Sequence, residues 1–220
     1  GIIFTSEHVT KEYYEVFQRA NIPVVLVATE STAYKLPAVK VNDYQAAKDA
    51  VHYLMKHGHH EIGMISGSLN DPISGLPRYQ GFQAGLVENG LSLKTENIAY
   101  GDFRFASGRR AIRELLKKNP NLSAIFASSD EMACGAIVEA TKMGIKLPEQ
   151  LSVIGYDNVK IAEMSYPALT TVAQPLYEMG QKSVDVLFEL INSECSLSEG
   201  SSLYLPHKII ERESVSPFNQ

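Results

Sequence analysis

Cysteine is scarce in this chain, a positive charge balance is missing, and no apolar stretch is long. Only Cys134 and Cys195 occur in 220 residues. They give no disulfide framework and suit a reducing compartment. A formal charge of −5 argues against a nucleic-acid surface on this segment, because phosphate contacts dominate such affinity and demand a basic face. The longest basic clusters are Gly108-Arg109-Arg110 and Lys117-Lys118. No apolar run approaches the roughly 20 residues that a membrane helix needs. No G-x-S-x-G, phosphate loop or dinucleotide fingerprint occurs either, so no nucleophile or cofactor motif points to an enzyme. His57, His59 and His60 span a helix end and a turn with no cysteine or carboxylate at ligand spacing. A solvated helix terminus is expected there, and no metal. Cys134 lacks a histidine partner for nucleophilic chemistry and reads as a small core or interface residue.

What is present is ordinary globular composition, 45% hydrophobic and 20% charged, in a chain long enough for one large domain or two lobes. Buried-strand runs alternate with helical periodicity. Ile2–Phe4, Pro23–Val27, Ala38–Val41, Glu61–Ile65, Ala124–Ala127 and Leu151–Tyr156 read as strands. Helices are expected over Lys11–Ala20, around Ala46–Leu54 and Tyr79–Val87, around Ala111–Leu116, and over Met132–Met143 and Tyr177–Ile191. Gly58, Gly90 and Gly144 stand where three of these should stop. Leu169–Val172 reads as extended, and Leu203–Leu205 with Ile209-Ile210 as a pair of short strands. Gly67–Pro77 and Ser193–Ser202 are turn-rich loops. The alternation implies βαβ units on mostly parallel sheets. Gly1-Ile2-Ile3-Phe4 reads as the middle of a strand, so a fragment starting inside a domain is expected.

Two strand ends carry the chemistry. In LSVIGYDN, apolar Leu151, Val153 and Ile154 lead to Gly155, and Tyr156-Asp157-Asn158 follow where the strand leaves the sheet. In AIFASSDEM, Ser128, Ser129 and Asp130 occupy the same place before a helix. Open parallel α/β sheets bind ligands in the crevice outside the carboxyl ends of their strands.

These motifs, in register with others, resemble the effector-binding core of LacI/GalR-type (lac repressor/purine repressor-like) transcription regulators. The others include Lys56-His57-Gly58-His59, Arg78-Tyr79-Gln80-Gly81-Phe82, Gly101-Asp102-Phe103, Pro167-Ala168-Leu169-Thr170-Thr171-Val172 with Gln174-Pro175, and Leu205-Pro206 with Glu211-Arg212. The resemblance implies an α/β, periplasmic-binding-protein-like (type I) fold: two Rossmann-like lobes with parallel sheets, a small molecule bound between them, and the first lobe partial here. The lobes would be 1–43 plus 174–211 and 44–173 plus 212–220, with the helix-turn-helix head outside this chain. The Val24–Val27 strand would then lack a neighbour and leave an unpaired edge.

By the same resemblance, Arg78 projects from a helix start and forks onto ligand oxygens; a solvated first-turn arginine is the alternative. Asp157 accepts hydrogen bonds from ligand hydroxyls, or else caps the segment after Val159. Asp130 contacts ligand, caps the helix from Glu131, or does both. Phe103 stacks on a sugar or purine face or merely packs its loop, and Gln174 sets an amide on the ligand. Asn42-Asp43 inverts the family's usual Asp-Asn order, and Ala28 stands where some members carry a ligand-facing acid. Ala136, Ile137 and Ala140 form a small-apolar stripe that reads as a dimer face or as core.

The expected function is therefore the effector-sensing, dimerising core of a cytoplasmic regulator. Its effector would be a sugar or sugar phosphate, with a purine less favoured, and it would act on operator DNA through the head. A sugar-binding protein serving a transporter is the alternative, and an α/β enzyme a third reading that lacks a catalytic constellation. Tyr177 and Gly180 resemble a phosphocarrier-docking helix of one relative, but Asp185 replaces an arginine there and would repel a phosphoserine.

Overall fold

A computed structural model describes residues 1–5, 8–192 and 201–218. Cys195 and most of the Ser193–Ser202 segment lie outside the described residues. The chain divides into two compact units, Gly1–Asn42 with Pro175–His207, and Asp43–Gln174 with Lys208–Gln220.

The smaller unit holds a four-stranded parallel sheet in the order β1-β2-β3-β9. These strands are β1 (Ile2–Phe4), β2 (Val24–Val27), β3 (Ala38–Val41) and β9 (Ser202–Leu205). Helix α1 (Lys11–Ala20) starts at Thr10, whose hydroxyl accepts from the Tyr13 amide, and ends at Asn21 in the left-handed region. Its Phe17 packs with Val9, Val24, Leu26 and Ala38. Helix α7 (Leu176–Ile191) packs on β1, β2 and β3. The expected bare edge at Val24–Val27 is not found. Strand β2 is hydrogen-bonded on both sides, to β1 and to β3, and Val24, Val25 and Leu26 are buried.

The larger unit holds a six-stranded sheet in the order β10-β8-β7-β6-β4-β5. Its strands are β4 (Ile62–Ser66), β5 (Ile98–Tyr100), β6 (Ala124–Ala127), β7 (Ser152–Asp157), β8 (Thr170–Ala173) and β10 (Lys208–Ile210). All neighbours are parallel except β10 on β8. Every residue of β4 and β6 is buried, as expected of strands covered on both faces. Strand alternation sorts the core. Ile65, Ile125, Ala127 and Val153 pack with residues of α4 (Phe105–Lys118) and α5 (Asp130–Lys142). Phe126 and Tyr156 face the other way, toward Phe82 of α3 (Gly75–Glu88). Helix α2 (Asp43–Lys56) packs against α3, and a Cβ on Gly81 would run into the Tyr44 carbonyl oxygen, so only glycine permits that approach.

Two sequence expectations change here. The resemblance puts residues 208–211 with the first lobe, but β10 pairs antiparallel with β8, so the chain has rejoined the larger unit by Lys208. The short strands near the end therefore belong to different sheets. His59 is buried rather than solvated. Its Nδ1 lies 3.1 Å from the Ser123 hydroxyl and its Nε2 3.0 Å from the Ser216 carbonyl, and burial lowers its pKa.

Candidate ligand site at the strand ends of the larger unit

The chain runs from β4 to β5 on one side, then crosses back to β6 on the other. That reversal is a topological switch point, where α/β sheets bind ligands. Arg78 lies in the first turn of α3, which follows β4. Tyr156 and Asp157 end β7, Ser128 follows β6, and Gln174 follows β8.

Arg78 is 5% exposed and tightly held. Its Nε donates to Asp43 Oδ1 at 2.8 Å and its Nη1 to the Ser128 carbonyl at 2.7 Å. The guanidinium lies 3.7 Å from the Tyr156 ring centre and 5.9 Å from that of Phe103. The Tyr156 hydroxyl donates to the same Asp43 oxygen at 3.0 Å. Burial opposes the Arg78 charge, but Asp43, then Tyr156 and Asp157, more than offset it and hold its pKa above the usual arginine value. Burial, with Asp43 beside it, pushes the Tyr156 phenol well above its usual range. Arg78 is therefore a fixed cation built into a packed polar cluster, unlike the freely projecting fork expected from sequence. Its Nη2 lies 3.9 Å from Asp157 Oδ1.

Asp157 sits at φ +113° and Asn158 at φ +59°. Positive φ at a non-glycine residue stores about 1–3 kcal/mol of strain and is found where a site over-determines the backbone. Gln174 Nε2 donates to Asp157 Oδ1 at 2.7 Å. Burial raises the Asp157 pKa, against the pull of Arg78 and of the Gln174 bond. Phe103, also at positive φ (+64°), lays its ring over Gly67, where any Cβ would collide with it. The structure thus brings Arg78, Phe103, Asp157 and Gln174 together.

Asp130 differs from both readings made of it. It is fully buried, with one oxygen accepting from the Val159 amide at 2.8 Å and the other from the Thr171 hydroxyl. The α5 cap is Ser129, whose hydroxyl accepts from the Met132 amide. Asp130 instead holds the turn that carries Asp157 and Asn158. Burial pushes its pKa up to about 7, against the hydrogen bonds from Thr171 and Val159. The dimer stripe is corrected too. Ala136, Ile137 and Ala140 are at most 1% exposed and lie inside this unit's own core. Cys134 is buried there as well.

Sequence reasoning noted Asp43 only in the inverted Asn42-Asp43 pair and missed its role as the buried counter-ion of Arg78, 35 positions away along the chain. The one available signal was a carboxylate opening a helix directly after a strand. Two open cavities, of about 170 and about 540 Å³, lie elsewhere, and His60 and Glu61 line both. Neither includes a residue of the Arg78–Asp157 cluster. Among the described residues, no group of three His, Cys, Asp or Glu side chains is placed to hold a metal ion.

Fold and strand-end cluster define a periplasmic-binding-protein-like domain, and a model of that family, described as a periplasmic binding protein-like domain, matches residues 51–215. Catabolite control protein A of Priestia megaterium is 37% identical over 215 residues, covering 98% of this chain and 64% of that protein. The HTH-type transcriptional repressor CytR of Escherichia coli K12 is 37% identical over 187 residues, covering 84% of this chain and 54% of that one. A solved complex of the regulator CelR with cellobiose superposes with a TM-score of 0.89 at 30% identity, over 97% of this chain and 65% of the other. CcpA of Lactococcus lactis gives 0.88 at 26%, over 98% and 78%. The chain belongs to the effector-binding domains of LacI-family transcriptional regulators. These relatives are regulators, not enzymes, and the chain spans 54% and 64% of the length of the two curated ones named. No helix among the described residues is long and apolar enough to cross a membrane.

Proposed function

We propose that this chain is the sensing core of a cytoplasmic repressor that binds a small hydroxylated molecule, of sugar or sugar-phosphate type, at Arg78, Phe103, Asp157 and Gln174. The smaller unit is part of the regulator's first lobe. One observation carries the reading: a strained, partly exposed Asp157 carboxylate held between the Gln174 amide and the Arg78 guanidinium at a switch point. A carboxylate accepts from ligand hydroxyls, an amide both donates and accepts, and Phe103 offers an apolar face. The likeness to a regulator solved with cellobiose favours a carbohydrate. Ligand binding biases the population of conformers of a homodimer and thereby its affinity for operator DNA, through a helix-turn-helix head; a coupling of about 1–3 kcal/mol suffices. Exposed Val159 and Met164 beside α6 (Lys160–Met164), not the buried α5 stripe, are the apolar groups offered to the partner copy.

Calorimetric titration of a sugar panel against wild type, Asp157→Asn and Gln174→Ala tests the site. A hydrogen bond to a charged group is worth about 1.5–3 kcal/mol, so Asp157→Asn should weaken binding about 10- to 100-fold, and Gln174→Ala less. Unchanged affinity in both variants removes the site.

A further inference from the structure

We infer that this site selects uncharged, hydroxyl-rich ligands and rejects their phosphate esters, because the chain's own carboxylates already hold the amides that open α3 and α4 and place further negative charge at the starts of α2 and α5. This narrows the ligand reading above and rests on it. Helix starts at a switch point are ready anion sites, since their first amides lack intrahelical partners and the dipole favours negative charge. Here carboxylates of the chain hold the amides that open α3 and α4.

At α3 the occupant is Asp71. Its Oδ1 accepts from the amides of Ile73 at 2.9 Å and Ser74 at 3.2 Å, and its Oδ2 from Gly75 at 2.9 Å. Its carbonyl takes the Leu76 amide, Pro77 has none to give, and the Arg78 amide returns to the Ser74 carbonyl. No amide of that turn is left for a ligand. At α4, Asp102 accepts from the Arg104 amide at 3.1 Å and Glu131 from the Phe105 amide at 3.3 Å. Helix α5 opens with Asp130 and Glu131, and α2 opens with Asp43.

Against these acids stands one buried lysine or arginine among the described residues of the larger unit, Arg78, and it is already engaged. Arg78 gives Nε to Asp43 and Nη1 to Ser128, so a phosphate could reach it only at Nη2, beside Asp157. Like charges about 4 Å apart repel strongly where water is excluded. Burial opposes negative charge at Asp157, Arg78 and the Gln174 amide favour it, and Asp43 and Glu131 oppose it, so the pull of Arg78 is already taken up by the chain's own carboxylates. The other polar groups here are neutral. The Ser66 and Ser128 hydroxyls, at the ends of adjacent strands β4 and β6, are fully buried with no hydrogen-bond partner among the described residues. Hydroxyl ligands match that inventory, and a dianion does not.

The test uses the whole chain and two kinds of probe. Matched pairs (glucose with glucose 6-phosphate, cytidine with cytidine 5′-monophosphate) are titrated calorimetrically into wild type, with the expectation that any pair that binds prefers the neutral member by at least about tenfold. Inorganic phosphate is then added in thermal-shift measurements to wild type, Asp71→Ser and Asp71→Asn. Wild type should show no shift, and Asp71→Ser should gain a saturable, salt-sensitive one because its α3 amides are released. Asp71→Asn keeps an acceptor for Ile73 and Ser74 but removes the charge and frees the Gly75 amide, so it should gain a smaller shift, and it serves alone if the serine variant does not fold. The inference is overturned if phosphate stabilises wild type as much as the variants, if neither variant gains a shift, or if an ester binds wild type as tightly as its parent. Ester binding that Asp157→Asn weakens would still leave the ligand site standing. The phosphate comparison decides the anion claim whatever the effector is.

Discussion

The ends of β6 and β7 are nearly interchangeable as sequence, and the fold uses them in opposite ways. Both run from buried apolar residues into a short polar segment with an aspartate. After β6, Asp130 enters a regular helix, is fully buried, and spends both oxygens on its own chain. After β7, Asp157 is forced to φ +113°, stays partly exposed, and is met by a glutamine and an arginine. The two are one device. Asp130 grips Val159 and Thr171 on either side of the turn, and this holds Asp157 in a conformation that an L-residue would otherwise leave. A buried carboxyl with both oxygens engaged by its own chain thus sets the geometry of one that stays partly exposed.

The comparison breaks most visibly at Arg78, which serves both packing and site. Arg78→Met leaves Asp43 buried without its counter-ion, so urea denaturation should show a loss of about 3–5 kcal/mol. Unchanged stability would mean that the cation belongs to the ligand alone. It follows that losing ligand binding in an Arg78 variant says little about contact, and Asp157 and Gln174 are the cleaner probes.

A smaller effect separates the two aspartates directly. Asp130→Asn puts an amide where two donors need an acceptor and should cost about 1–3 kcal/mol; Asp157→Asn should cost much less. The pH dependence has a defined sign. The folded Asp130 pKa is raised from its ordinary 3.8 to about 7, so the native state holds this proton more tightly than the unfolded chain. That contribution is complete below about pH 4 and is lost as pH rises toward 7. Denaturation midpoints between pH 4 and 7 should fall less steeply in Asp130→Asn than in wild type, and parallel slopes would contradict the assignment.

The smallest change is expected for Asp157→Gly. Glycine adopts positive φ at no cost, so stability should hold or rise by up to ~1 kcal/mol while sugar affinity is lost. A clear loss of stability would show that Asp157, like Asp130, is part of the scaffold.

Much of this was legible in the chain. Apolar runs marked β2, β3, β4, β6 and β7, and helical spacing marked the helices between them, because burial on both faces imposes those patterns. Strand β5 was not singled out, since three residues at a sheet edge carry too little pattern. The five-residue α6 was missed for the same reason. Asp157 could be picked because a carboxylate at a strand end has no packing reason to be there, whereas Arg78, Phe103 and Gln174 were legible through the family resemblance.

What local sequence determined, then, was which segments are strands and helices, and which polar side chains stand at their ends. Tertiary structure decided the rest. Only the packing of α2 on α3 delivers Asp43 to Arg78, and only the pairing of β7 with β8 sets Thr171 and Gln174 beside the turn at Asp157. It also turned the α5 stripe inward and sent β9 and β10 to separate sheets. Periodicity is a property of neighbours along the chain, whereas a counter-ion, a buried face or a strand partner depends on which distant segments come into contact.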